Sequence, residues 1–83
     1  MGDSNSVMTM CDYGHISFHF DEVMNAKGIT RNELARKTGI RFEVADRFYK
    51  GAIERMDIDV LTRVCFVLEC GVADVIRYRK DGH

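Results

Sequence analysis

The chain has no proline, no tryptophan, only three cysteines and almost no net charge, with 12 basic side chains against 13 acidic ones in 83 residues. Without proline, helix ends fall to glycines and capping side chains. No run approaches the ~18 apolar residues of a membrane span, and no charged segment followed by an apolar run marks a secretory signal. An odd cysteine count excludes a fully paired disulfide framework, and Cys65 and Cys70 lie in or beside an apolar helical stripe. Buried free thiols in a reducing compartment are the simplest reading, so a cytoplasmic protein is expected. The opening M-G-D-S-N-S matches a myristoylation pattern too short to carry weight. No glycine-rich phosphate loop or nucleophile elbow occurs, so neither an enzyme nor a cofactor is expected. Cys11, His15 and His19 are spaced by four, but no fourth ligand accompanies them. His15 and His19 are read as solvent-facing histidines beside a strand, with no metal.

What remains is 46% hydrophobic and 30% charged, the composition of one small globular domain. Its charge is unevenly placed. Residues 1–29 carry one lysine against four acids, a net of −3. Residues 30–55 carry seven Lys/Arg against four acids, a net of +3. Residues 56–83 return to −1 with four against five. The positive excess falls on one stretch, where a phosphate backbone would lie.

That stretch, Thr30 to Gly51, is the organising element. Thr30 and Glu33 have the T-x-x-E spacing of a capping box. Leu34 and Ala35 supply the buried face of the helix it starts, and Thr38-Gly39-Ile40 closes it with glycine at the left-handed position. A second helix runs over 41–50 with Gly51 as its stop. Its spacing turns Val44, Ala45 and Phe48 inward and Phe42, Glu43, Asp46, Arg47 and Lys50 outward. Two helices across a short glycine-containing turn form the helix-turn-helix pattern.

On either side, Ile16 to Phe20 and Ile76 to Lys80 alternate apolar with polar, the period of a half-buried strand. They lie near opposite ends of the chain and are expected to pair in an antiparallel ribbon, with Ile16, Phe18 and Phe20 near Ile76 and Tyr78. Asp21 is read as the cap of a short helix ending at Gly28. Asp57 caps a helix over 58–69, whose stripe of Leu61, Val64, Cys65 and Leu68 packs under the motif until Cys70-Gly71 ends it. Val72 to Val75 makes one further turn. Residues 1–14, with Val7, Met8, Met10 and Tyr13, are read as a flexible or dimer-forming arm, 15–80 as the domain, and 81–83 as a tail.

On these residues the chain resembles the Cro/phage-repressor-type helix-turn-helix family of small single-domain bacterial regulators. The matching pieces are I-T-R-N-E-L-A-R-K-T-G-I, an eleven-residue run from Arg41 to Gly51, and D-I-D-V-L-T-R-V-C-F-V-L-E-C, within a likeness covering about residues 16–78. The resemblance implies a mainly α fold of about five helices, to which the reading above adds the two-stranded ribbon. It also implies binding of operator DNA, usually as a dimer. At Thr30 and Arg31, the start of the motif's first helix, DNA contacts are expected, and at the position of Arg31 the resemblance implies a contact with phosphate. At Arg41, Phe42, Glu43 and Asp46 it implies contacts with base edges, and at Arg47 and Lys50 contacts with bases or backbone.

The expected function is therefore sequence-specific binding of double-stranded DNA by a homodimeric transcriptional regulator. Glu43 and Asp46 depart from the residues usual in that family, because two carboxylates on this face repel phosphate. Glu43 can accept from a cytosine amino group, and Asp46 can pair with Lys50 one turn on. With Phe42, these carboxylates motivate the alternative: an antitoxin-like or accessory module that binds a protein partner and has weak DNA affinity.

Overall fold

The computed structural model describes residues 13–80. The Thr30–Glu33 box forms in full: the Glu33 N–H donates to Thr30 Oγ1 at 3.1 Å, and the Thr30 N–H donates to Glu33 Oε1 at 3.0 Å. It opens helix α2 (Arg31–Thr38), the second of five helices among the described residues. Gly39 follows at φ +81°, a conformation costing other residues ~1–2 kcal/mol. Thr38 seals the turn from inside, its hydroxyl donating to the Leu34 carbonyl at 2.6 Å. Removing one side of the box by Thr30→Ala is expected to cost about 1 kcal/mol. A urea melt at unchanged slope would read that loss, and an unchanged midpoint would show that α2 does not depend on its cap.

Helix α3 (Phe42–Lys50) follows Arg41 and stops at Gly51. Before the motif lie strand β1 (His15–Phe18) and helix α1 (Phe20–Lys27); after it come α4 (Ile58–Leu68), the single turn α5 (Val72–Val75) and strand β2 (Ile76–Arg79). The two strands pair antiparallel, with Ile16 opposite Tyr78 and Phe18 opposite Ile76, as the alternation implied. At the tight entry to β1, Gly14 has φ +85°. A Cβ there would come within 2.4 Å of the Arg79 carbonyl oxygen, so no side chain fits. The ribbon is fastened to the helices where the His19 N–H donates to the Val75 carbonyl at 2.7 Å.

One core joins these parts. Phe20 and Met24 from α1, Leu34 from α2, Ala45 and Phe48 from α3, Leu61, Val64 and Leu68 from α4, and Val75 from α5 are all buried. The rings of Phe20 and Phe48 meet at 4.8 Å between centroids, a separation typical of favourable aromatic pairs. Helix α2 packs on α3 and α4, while α1 packs on α3 and α5. This holds the helix-turn-helix from behind and leaves the far side of α3 open.

Several boundaries differ from the sequence expectation. Phe20 belongs to α1, not to the strand, because its ring is drawn wholly into the core. The cap of α1 is accordingly His19, with Asp21 inside the first turn. His19 is not a solvent-facing strand residue: its ring bridges Ser17 Oγ (2.9 Å) and Glu22 Oε2 (3.0 Å), and its side chain is only 17% exposed. Asp57 does cap α4, accepting from the Asp59 and Val60 N–H groups. That helix ends one residue early, however, with Glu69 at φ 53° taking the left-handed position expected nearer Cys70-Gly71. Cys65 and Cys70 are half-buried free thiols. Burial first, and then the neighbouring Cys65, push the Cys70 thiol up to about 11, which makes it a poor nucleophile. Val7, Met8, Met10 and Cys11 of the proposed arm, and the tail 81–83, lie outside the described residues.

Candidate nucleic-acid interface

The outer face of α3 follows from its spacing. With Val44, Ala45 and Phe48 turned inward, Phe42, Glu43, Arg47 and Lys50 are exposed and Arg41 stands exposed at the helix start. Arg41 and Arg47 make no ion pair among the described residues. Both guanidinium groups are thus exposed and unpaired among the described residues.

Asp46 is not simply outward. Its side chain is 22% exposed, and each carboxylate oxygen holds one cation. Arg31 Nη1 from α2 lies 2.5 Å from Oδ1, and Lys50 Nζ, one turn along α3, lies 3.1 Å from Oδ2. Hydrogen bonding first from Lys50 and then from Arg31 holds the Asp46 carboxyl below the usual aspartate range. The Asp46–Lys50 pair had been expected from spacing; the Arg31 pair joins residues fifteen apart and had not.

Arg31 is further seated by two rings. Its guanidinium carbon lies 5.8 Å from the Phe42 centroid and 5.2 Å from the Tyr49 centroid, within cation–π range. Tyr49 is itself tied down, its hydroxyl donating to Asn25 Oδ1 on α1 at 3.2 Å. Phe42, 44% exposed, thus lies beside Arg31 and does not fold back over the core. Tyr49 and Asn25 are the parts of this site that were not singled out from sequence. The usable signal was the spacing of Phe42, Asp46 and Tyr49, at i, i+4 and i+7 on one helical stripe.

At the start of α2, Thr30 is committed to its capping box. Its N–H and its hydroxyl oxygen both serve Glu33, whose carboxyl is held low mainly by the Thr30 backbone. Of the eight residues expected to meet DNA, Arg41, Phe42, Glu43, Asp46, Arg47 and Lys50 lie on or at the head of α3. Arg31 is fastened to that group across the joint, and Thr30 shapes the helix end behind it. Past Gly51, Arg47 also borders an open hollow of about 790 Å³ that includes Phe48, Ile53, Arg55, Met56 and Val60. No helix among the described residues is long and apolar enough to cross a membrane.

The fold is similar to that in the crystal structure of the transcriptional regulator VanUg. The TM-score is 0.64 at 20% identity, over 82% of this chain and 91% of that one. No curated protein matches the chain significantly. The model of the Cro/C1-type HTH DNA-binding domain matches residues 19–81, which takes in α1 through β2 and the whole of the face just described. The chain belongs to the family of Cro/C1-type helix-turn-helix DNA-binding domains.

Proposed function

We propose that the chain is a sequence-specific regulator of transcription that reads double-stranded DNA with α3 in the major groove. The observation that carries this is the pair of uncommitted guanidinium groups, Arg41 and Arg47, on the open side of a helix held firmly from behind. A guanidinium forks onto O6 and N7 of guanine, a contact worth ~1–3 kcal/mol of discrimination. Glu43, exposed on the same helix, suits a cytosine amino group. A helix-turn-helix seats such a helix in the groove while the helix before it crosses the backbone, and the positive N-terminal end of α2 suits a phosphate there.

The salt dependence of binding to random duplex DNA tests this. Log K should fall steeply with log salt, by about 0.9 for each phosphate neutralised. Undetectable binding at low salt would favour the protein-partner alternative. Two of that alternative's three motives are weaker once Asp46 and Phe42 are seen engaged with Arg31.

The regulator is further proposed to act as a homodimer spanning half-sites ~34–36 Å apart. Ile16 and Tyr78 sit opposite each other on the ribbon and are both exposed, and a two-stranded ribbon has open edges. Sedimentation should give a dimer at micromolar concentration, and Ile16→Glu should shift it to monomer. A monomer at high concentration, with and without DNA, removes the dimer.

A further inference from the structure

We propose that Asp46 limits how tightly this domain holds duplex DNA of arbitrary sequence, by holding Arg31 and Lys50 on its own carboxylate and away from phosphate. This rests on the DNA-reading role of α3 proposed above.

The four cations expected to meet DNA fall into two classes. Arg41 and Arg47 have no anionic partner among the described residues. Arg31 and Lys50 share one, and both oxygens of that carboxylate are occupied. The arrangement is built rather than incidental. Arg31 reaches Asp46 from a different helix, its guanidinium lies beside the rings of Phe42 and Tyr49, and Tyr49 is tied by Asn25 to a third helix. A phosphate that takes Arg31 must break this pair, strip the guanidinium from its rings and leave a half-buried carboxylate facing a polyanion.

Non-specific affinity comes essentially from phosphate contacts and counterion release, so two withheld cations lower it directly. Specific affinity adds base-edge contacts, which Arg41, Arg47 and Glu43 can make without disturbing Asp46. With the phosphate part lowered, tight binding depends on those base edges. A carboxylate on this helix then has a use, although it repels DNA.

The test compares wild type with Asp46→Asn on random duplex across a salt series. Asparagine keeps an acceptor oxygen for Arg31, and thermal melts by circular dichroism establish that the variant is folded. The variant should bind about tenfold tighter near 0.1 M salt, with a slope steeper by one or two phosphate contacts, about 0.9 each. In an Arg31→Gln, Lys50→Gln background the same change should alter binding at most about twofold, because no cations remain to release. A variant that binds no tighter overturns the proposal. So does a gain that persists in the double background, which would make Asp46 a simple repeller. Wild type showing a steep slope with an unchanged variant sinks this inference alone; neither protein binding at any salt sinks the DNA-reading role with it. Binding by the variant alone supports the proposal. A second readout is the Arg31 side-chain resonances, displaced by the ring currents of Phe42 and Tyr49. They should stay put when random duplex is added to wild type and move when it is added to Asp46→Asn; resonances that move in wild type overturn the proposal.

Discussion

Arg41→Glu together with Arg47→Glu should abolish duplex binding while leaving the fold intact. Each reversal removes a contact worth ~1–3 kcal/mol and sets an acid against phosphate, so the pair should weaken binding by at least about a hundredfold. The reason for choosing these two is structural. Neither has an ion pair to lose, and both side chains are exposed. Arg41 is the N-cap of α3, but its side chain makes no capping hydrogen bond, and exposed changes that break no cap bond or network stay within about ±0.5 kcal/mol of stability. Glutamate at position 41 would even lie at the positive end of the α3 dipole. Reversing Lys50 is a poorer choice, because it would also place an acid beside Asp46. Fluorescence anisotropy with a labelled duplex reads binding, and a urea melt reads stability. Retained affinity in a folded double variant would mean that α3 is not the reading helix.

Phe48→Ala should be the most damaging core change on α3. The side chain is 4% exposed and its ring meets Phe20, so α1 and α3 both lean on it. Truncating a buried phenylalanine costs ~3–5 kcal/mol. Small domains have only ~5–15 kcal/mol in total, and a core of this size belongs at the lower end. Much of the chain should then be unfolded at 37 °C, by the helical signal in circular dichroism and by a urea midpoint moved sharply down. Phe66, which is 82% exposed on α4, makes the control: its truncation should leave the midpoint nearly unchanged. If the two changes cost alike, the core has been misplaced.

What could be seen in the sequence was whatever is decided within a few residues. The Thr30–Glu33 box, the Gly39 turn, the Asp57 cap and the buried stripe of α4 each rest on contacts spanning three or four positions, and each forms. The ribbon was legible although its strands are sixty residues apart, because alternation marks each strand and a lone strand needs a mate. The start of α1 was misjudged at Asp21 because aspartate is the better cap by type. Burial of Phe20 decided instead, and its ring reaches Phe48 on another helix. Glu69 ends α4 in a conformation that favours glycine, and nothing local announces it. The largest omission was the Arg31–Asp46 joint. Spacing on α3 pointed Asp46 outward, which was half right; its second partner comes from α2, and only the packing of the two helices brings them together.

The most direct test of α3 as the reading element is a backbone amide NMR titration with duplex selected from a random pool. The largest shifts should fall on residues 41–50 and at the start of α2, with α4 and the outer face of the ribbon nearly still. Shifts concentrated on α4 or the ribbon, with 41–50 unmoved, would contradict it.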